Sequence, residues 1–80
     1  MLREVTMPKF GQTMTEGEIL KWWKREGEPI RKGEVLLEIA SDKTNLEVES
    51  EYTGIVKKIL VREGTVVPCG QVIAYVETED

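Results

Sequence analysis

The stretch GEILKWWKREGEPIRKGEVLLEIA, Gly17–Ala40, decides the fold, because it recurs 37 positions later as GIVKKILVREGTVVPCGQVIAYVE, Gly54–Glu77. Gly17 falls on Gly54, Gly27 on Gly64 and Gly33 on Gly70. Lys21, Arg25, Glu26 and Val35 fall on Lys58, Arg62, Glu63 and Val72. The apolar pattern follows: Ile19 with Val56, Trp22 with Ile59, Ile30 with Val67, Leu36 with Ile73, Ile39 with Val76. Superposed glycines mean that each half needs a positive φ or a close backbone approach at the same points. Two copies are too few for a solenoid. The expectation is two half-domains facing each other across a pseudo-two-fold axis, each burying the face the other cannot cover.

The units read as strands. Glu18–Glu26 also has helical spacing at Ile19, Trp22 and Trp23, but nine residues between glycines make a short helix. The second copy is rich in β-branched residues, Ile55, Val56, Ile59 and Val61. The three-residue step from Ile19 to Trp22, repeated from Val56 to Ile59, then predicts a bulge. Elsewhere the period is two: Val35, Leu37 and Ile39 alternate with Leu36, Glu38 and Ala40, and Val72, Ala74 and Val76 with Ile73, Tyr75 and Glu77. Leu46 and Val48 alternate with polar neighbours, and Arg3–Met7 reads as a first strand. Gly turns between short strands predict an all-β sandwich or flattened barrel.

Composition narrows the chemistry. Eighty residues make one domain near the lower size limit for folding without staples. The net charge of −4 argues against nucleic-acid binding, which wants clustered Lys and Arg. No apolar run approaches a membrane span, and the start carries no signal-peptide pattern. The single cysteine, Cys69, forms no disulfide framework, and without any His it has neither the usual activating base nor zinc co-ligands. Cys69 therefore reads as structural. No nucleophile–base pair and no phosphate loop is present, so enzymatic activity is not expected of this segment.

Between the copies lies Ala40-Ser41-Asp42-Lys43-Thr44-Asn45, short enough to be a tight hairpin turn. Asp42 can bond nearby backbone N–H groups and push Lys43 outward. Of seven lysines, only Lys43 sits between the halves, and the repeat pairs it with Asp80. The symmetry therefore sets the chain end opposite this hairpin. On physical grounds alone, an exposed hairpin lysine is most often a solvated charge.

The chain resembles the lipoyl domains of dihydrolipoamide acyltransferases. The resemblance rests on Met7-Pro8, Thr15 through Ile19, Trp22, Glu26-Gly27-Glu28, Gly33 through Leu36, and Ile39 through Ser41-Asp42-Lys43-Thr44. The second copy adds Gly54, Ile55-Val56, Ile59, Glu63-Gly64, Val67, Gly70 and Val72. It implies a flattened barrel-sandwich of two four-stranded antiparallel sheets. It implies one domain over 1–80, excised from the N-terminal part of a longer acyltransferase chain. It implies lipoic acid joined by an amide to Lys43, flanked by Asp42 and Thr44. That arm would carry acyl groups and reducing equivalents among a thiamine-dependent 2-oxo acid decarboxylase, an acyltransferase core and dihydrolipoamide dehydrogenase, after attachment by a lipoate ligase or lipoyl transferase. The setting implied is the cytoplasm of a bacterium or archaeon, or the mitochondrial matrix of a eukaryote, with the isolated domain monomeric. The loop around Gly11, Gln12, Thr13, Met14, Thr15 and Glu16, where the copies differ most, is expected to take part in partner recognition; a plain surface loop is the alternative. The stretch Met7–Thr15 looks more like pyruvate or acetoin complexes than the 2-oxoglutarate type.

Rival readings keep the fold and change the use. Biotinyl carriers share the hairpin lysine but flank it with Met on both sides, where this chain has Asp42 and Thr44. Glycine-cleavage carriers are also lipoylated but longer. An unmodified barrel-sandwich adaptor would serve only for contact.

Overall fold

The computed structural model describes residues 1–41 and 44–79. Eight strands follow in order: β1 (Leu2–Thr6), β2 (Glu16–Trp22), β3 (Pro29–Ile30), β4 (Val35–Ala40), β5 (Asn45–Glu49), β6 (Gly54–Ile59), β7 (Val66–Pro68) and β8 (Val72–Glu77). They make two four-stranded antiparallel sheets, β1-β8-β6-β3 and β5-β4-β2-β7. Each sheet draws two strands from each half, so neither half closes a core alone.

The repeat is built into the register. Ile19 pairs with Ile39 and Trp22 with Leu37; their images Val56 and Ile59 pair with Val76 and Ala74. Gly17 pairs with Val67, and its image Gly54 with Ile30. Contacts between halves are reciprocal: Gly27 N–H donates to the Val56 carbonyl at 2.7 Å, and Gly64 N–H to the Ile19 carbonyl at 2.6 Å. Glu63 Oε2 accepts from Trp22 N–H at 2.9 Å, and Glu26 Oε2 from Ile59 N–H at 2.8 Å. Exchanging the halves maps each bond onto its partner, which makes the relation two-fold.

The glycines divide into two kinds. Gly27 and Gly64 turn the chain with φ of 90° and 88°, where a side chain would be strained. Gly17 and Gly54 are instead sites of close approach: a Cβ on Gly17 would meet Met14 Cε and Met7 Sδ at 3.2 Å, and one on Gly54 would overlap the Glu77 carbonyl.

The expected bulges are present, between Ile19 and Lys21 and between Val56 and Lys58. One sequence expectation needs correction. Strict alternation fails in β4 and β8: Leu36 and Leu37 are both fully buried, as are Ile73 and Ala74. A further irregularity between Val35 and Leu37 slips the phase there. Trp22 is half-buried at the core margin, with Nε1 donating to the Val61 carbonyl at 3.0 Å. Its N–H needs that partner, so the ring lies at the margin and not in the centre. Trp23 is 46% exposed, with Lys21 Nζ 4.2 Å from its ring centre.

The core lies between the sheets: Ile19, Ile30, Leu36, Ile39 and their images Val56, Val67, Ile73, Val76, joined by Leu37, Val48, Met7 and Met14. Met14 has no image, because it belongs to the segment that breaks the symmetry. Ten residues separate Thr6 from Gly17, whereas four separate Glu49 from Gly54.

Candidate functional site

Strands β4 and β5 meet at the Ser41–Thr44 hairpin. Ser41 N–H donates to the Thr44 carbonyl at 2.9 Å, and Ser41 Oγ donates to the same oxygen at 3.3 Å. Thr44 Oγ1 donates to the Asn45 carbonyl at 3.3 Å. A polar clasp thus holds the hairpin base, while Ser41 is half-buried and Thr44 exposed. Asp42 and Lys43, the expected attachment pair, lie outside the described residues. The two-fold carries this clasp onto the bond from Thr78 N–H to the Met1 carbonyl at 2.8 Å, on the other side of the axis.

The second element of the site is the long β1–β2 connection. Thr13, Met14, Thr15 and Glu16 line a small cleft of about 70 Å³ together with Ser41. Next to it, Glu16, Gly17, Glu18, Ala40, Ser41 and Val66 line a second recess of about 170 Å³. The fold therefore brings four of the six expected recognition residues to the hairpin base. Gly11, Gln12, Thr13, Thr15 and Glu16 are exposed, but Met14 turns inward to 9% exposure. Its inward turn follows from Gly17, whose missing side chain leaves room for the Met14 methyl.

The loop is tied down from several sides. Cys69 N–H donates to the Thr15 carbonyl at 3.0 Å, and Cys69 Sγ lies 3.5 Å from the Pro8 carbonyl and 3.7 Å from that of Met14. Cys69 is half-buried and packs against the core, in keeping with a structural part. Phe10 N–H approaches Met14 Sδ at 3.2 Å. Phe10 itself, 45% exposed, was not singled out from the sequence; it borders a groove on β5 with Glu47 and Glu49. Its place beside Pro8 in a loop was the only available signal.

Away from the hairpin, the Arg31 N–H that donates to Glu34, with Lys24 Nζ 3.0 Å away, holds that carboxyl below its ordinary range. Among the described residues no group of three or more His, Cys, Asp or Glu is placed to hold a metal. No helix among them is long and apolar enough to cross a membrane.

Comparison with known proteins bears on which use of this fold applies. A family model described as Biotin-requiring enzyme matches residues 3–76. The chain belongs to the biotinyl/lipoyl domain family. It is 46% identical, over 99% of its length, to component 5, the chloroplastic dihydrolipoyllysine-residue acetyltransferase of the pyruvate dehydrogenase complex, of Arabidopsis thaliana, and covers 17% of that protein. It is 36% identical over 98% of its length to the lipoamide acyltransferase component of the branched-chain alpha-keto acid dehydrogenase complex of Bacillus subtilis, covering 18% of it. The lipoyl domain of the 2-oxoglutarate dehydrogenase complex of Azotobacter vinelandii superposes with a TM-score of 0.77 at 27% identity, over 94% of this chain and 95% of that one. Urea carboxylase of Kluyveromyces lactis shares the fold alone, with a TM-score of 0.72 at 21% identity over 94% of this chain and 7% of that one. The chain thus spans less than a fifth of the acyltransferases it matches, and these relatives favour the lipoyl branch over the biotinyl one. This lipoyl domain is a carrier module and not itself a catalyst. Its relatives include bacterial and chloroplastic proteins, so a mitochondrial matrix is not the only organelle the eukaryotic reading must admit.

Proposed function

We propose that this domain carries lipoic acid as an amide on Lys43 and serves a 2-oxo acid dehydrogenase complex. The observation that carries the reading is the two-fold framework, which sets the Ser41–Thr44 clasp at a hairpin between the halves. Bound lipoate supplies a dithiolane that accepts an acyl group together with reducing equivalents, chemistry that belongs to the cofactor. The chain's own residues hold and present it. The clasp keeps β4 and β5 paired at the hairpin base, and the amide removes one positive charge from the side chain that carries it. Partners are a thiamine-dependent decarboxylase, an acyltransferase core and dihydrolipoamide dehydrogenase, reached in turn because tethering raises local concentration. Gly11, Gln12, Thr13, Thr15 and Glu16 offer the decarboxylase a contact surface beside the arm. A longer chain ending in an acyltransferase core completes the proposal.

The test is attachment. Expressed with a lipoate ligase and with a biotin ligase in parallel, the domain is expected to gain one lipoyl mass and no biotin. Lys43→Arg should gain neither. Biotin on Lys43, or lipoate retained in Lys43→Arg, overturns the reading.

A further inference from the structure

The two ends of the domain are built on one plan and differ in the length of the connection that caps each. At the end away from the hairpin, Pro29, Thr53, Gly54, Ile55, Glu77 and Thr78 line an open groove of about 730 Å³. The two-fold images of those six residues are Val66, Glu16, Gly17, Glu18, Ala40 and Ser41. They line a recess of about 170 Å³, next to the 70 Å³ cleft under the loop. At the hairpin end, Thr13, Met14, Thr15 and Glu16 from the longer β1–β2 connection lie against Ser41. Met14 is the one residue of 9–16 buried in the core. Its methyl rests over Gly17, and its sulfur lies against Phe10 N–H. The shorter connection at the other end has no counterpart of Met14; Ser50, the image of Met7, makes polar bonds within its own turn, its Oγ donating to the Tyr52 carbonyl at 2.6 Å and accepting from Tyr52 N–H at 3.1 Å.

We propose that Met14 is a positioning residue for carrier recognition: seated over Gly17, it holds the 10–16 loop against Ser41, so that partners meet a preformed surface beside the arm. Met14 itself touches no partner. The inference rests on the lipoyl reading above, and concerns how the loop is held. Preformed surfaces bind better because ordering is not left to the encounter. Freeing the loop should therefore raise KM and leave kcat in place.

The experiment uses the lipoylated domain as the substrate of a thiamine-dependent decarboxylase from a 2-oxo acid dehydrogenase complex that acylates the wild type. Met14→Ala is expected to raise KM by roughly tenfold with kcat within about twofold, and Met14→Leu to restore most of the loss. Should Met14→Ala fail to fold, Met14→Val takes its place. Val76→Ala, a core truncation at the opposite end, controls for lost stability and should leave KM unchanged. Amide exchange at Cys69, whose N–H is bonded to the Thr15 carbonyl, should speed by about tenfold or more in Met14→Ala and not in Val76→Ala. Unchanged KM in a lipoylated Met14→Ala whose Cys69 amide has lost protection overturns the inference, as does an equal rise in KM from Val76→Ala. Failure of the wild type to accept lipoate would instead strike at the function reading.

Discussion

Replacing Gly54 by alanine should cost far more than the same change at Gly17, although the two-fold makes the positions equivalent. At Gly54 the new methyl would overlap the Glu77 carbonyl oxygen, with the carbonyl carbon at 2.9 Å and Val76 Cγ1 at 3.2 Å. That oxygen belongs to the β8 backbone, so relief requires prying β6 from β8 near Ile55 and Glu77. At Gly17 the nearest atoms are side-chain atoms, Met14 Cε and Met7 Sδ at 3.2 Å and Ile39 Cδ1 at 3.5 Å. Thioether ends can move by a few tenths of an ångström. Alanine also gains roughly 0.5–1 kcal/mol over glycine within a strand, which offsets part of each cost. Gly17→Ala should then fall within about 1 kcal/mol of wild type, while Gly54→Ala should lose about 3 kcal/mol, at the upper end for overpacking. In a domain of this size such a loss lowers Tm by roughly 12–24 °C. Thermal and urea unfolding of both variants measure the difference. Equal losses at the two sites would refute the assignment of Gly54 to backbone approach.

Other outcomes follow from the same contacts. Glu26→Ala and Glu63→Ala each remove one carboxylate–amide bond at two-fold-related places, so each should destabilise by about 1 kcal/mol, and by similar amounts, in urea unfolding. Glu34 has a folded pKa lowered from 4.5, so its contribution is present above that value and is lost as pH falls through the lowered one. The stability gap between wild type and Glu34→Gln should accordingly shrink on acidification, and a gap that widens would contradict the contact with Arg31 and Lys24. Replacing the 7–16 connection by the short Ser50–Thr53 turn should open a groove at the hairpin end and slow reductive acylation about tenfold or more. An unchanged rate would reduce the loop to plain surface.

Much of this was legible in the sequence because symmetry doubles every signal. A lone Gly17 or Gly27 is ambiguous, but matched glycines with matched apolar positions constrain both halves, and the register reproduced the offset between them. The bulge after Ile19 was readable as a three-residue apolar step. The slip between Val35 and Leu37 was not, since an unbroken apolar run, Val35-Leu36-Leu37, shows no phase to lose. Met14 was legible as part of a divergent loop but not as its anchor. Its partners Gly17, Met7 and Phe10 meet it only through the fold, and a methionine among polar residues reads as surface. The hairpin lysine stood out by position, yet position gave no chemistry; that came from the family pattern around it.

The most direct test of the carrier account follows the acyl group itself. Wild-type domain and Lys43→Arg, both exposed to lipoate ligase, are mixed with a 2-oxo acid and its thiamine-dependent decarboxylase, and intact masses are taken. Addition of one acyl group to the lipoylated wild type, and to no part of Lys43→Arg, is the predicted result. Acyl transfer to Lys43→Arg, or none to a lipoylated wild type from any 2-oxo acid decarboxylase of the pyruvate, branched-chain and 2-oxoglutarate classes, would contradict it.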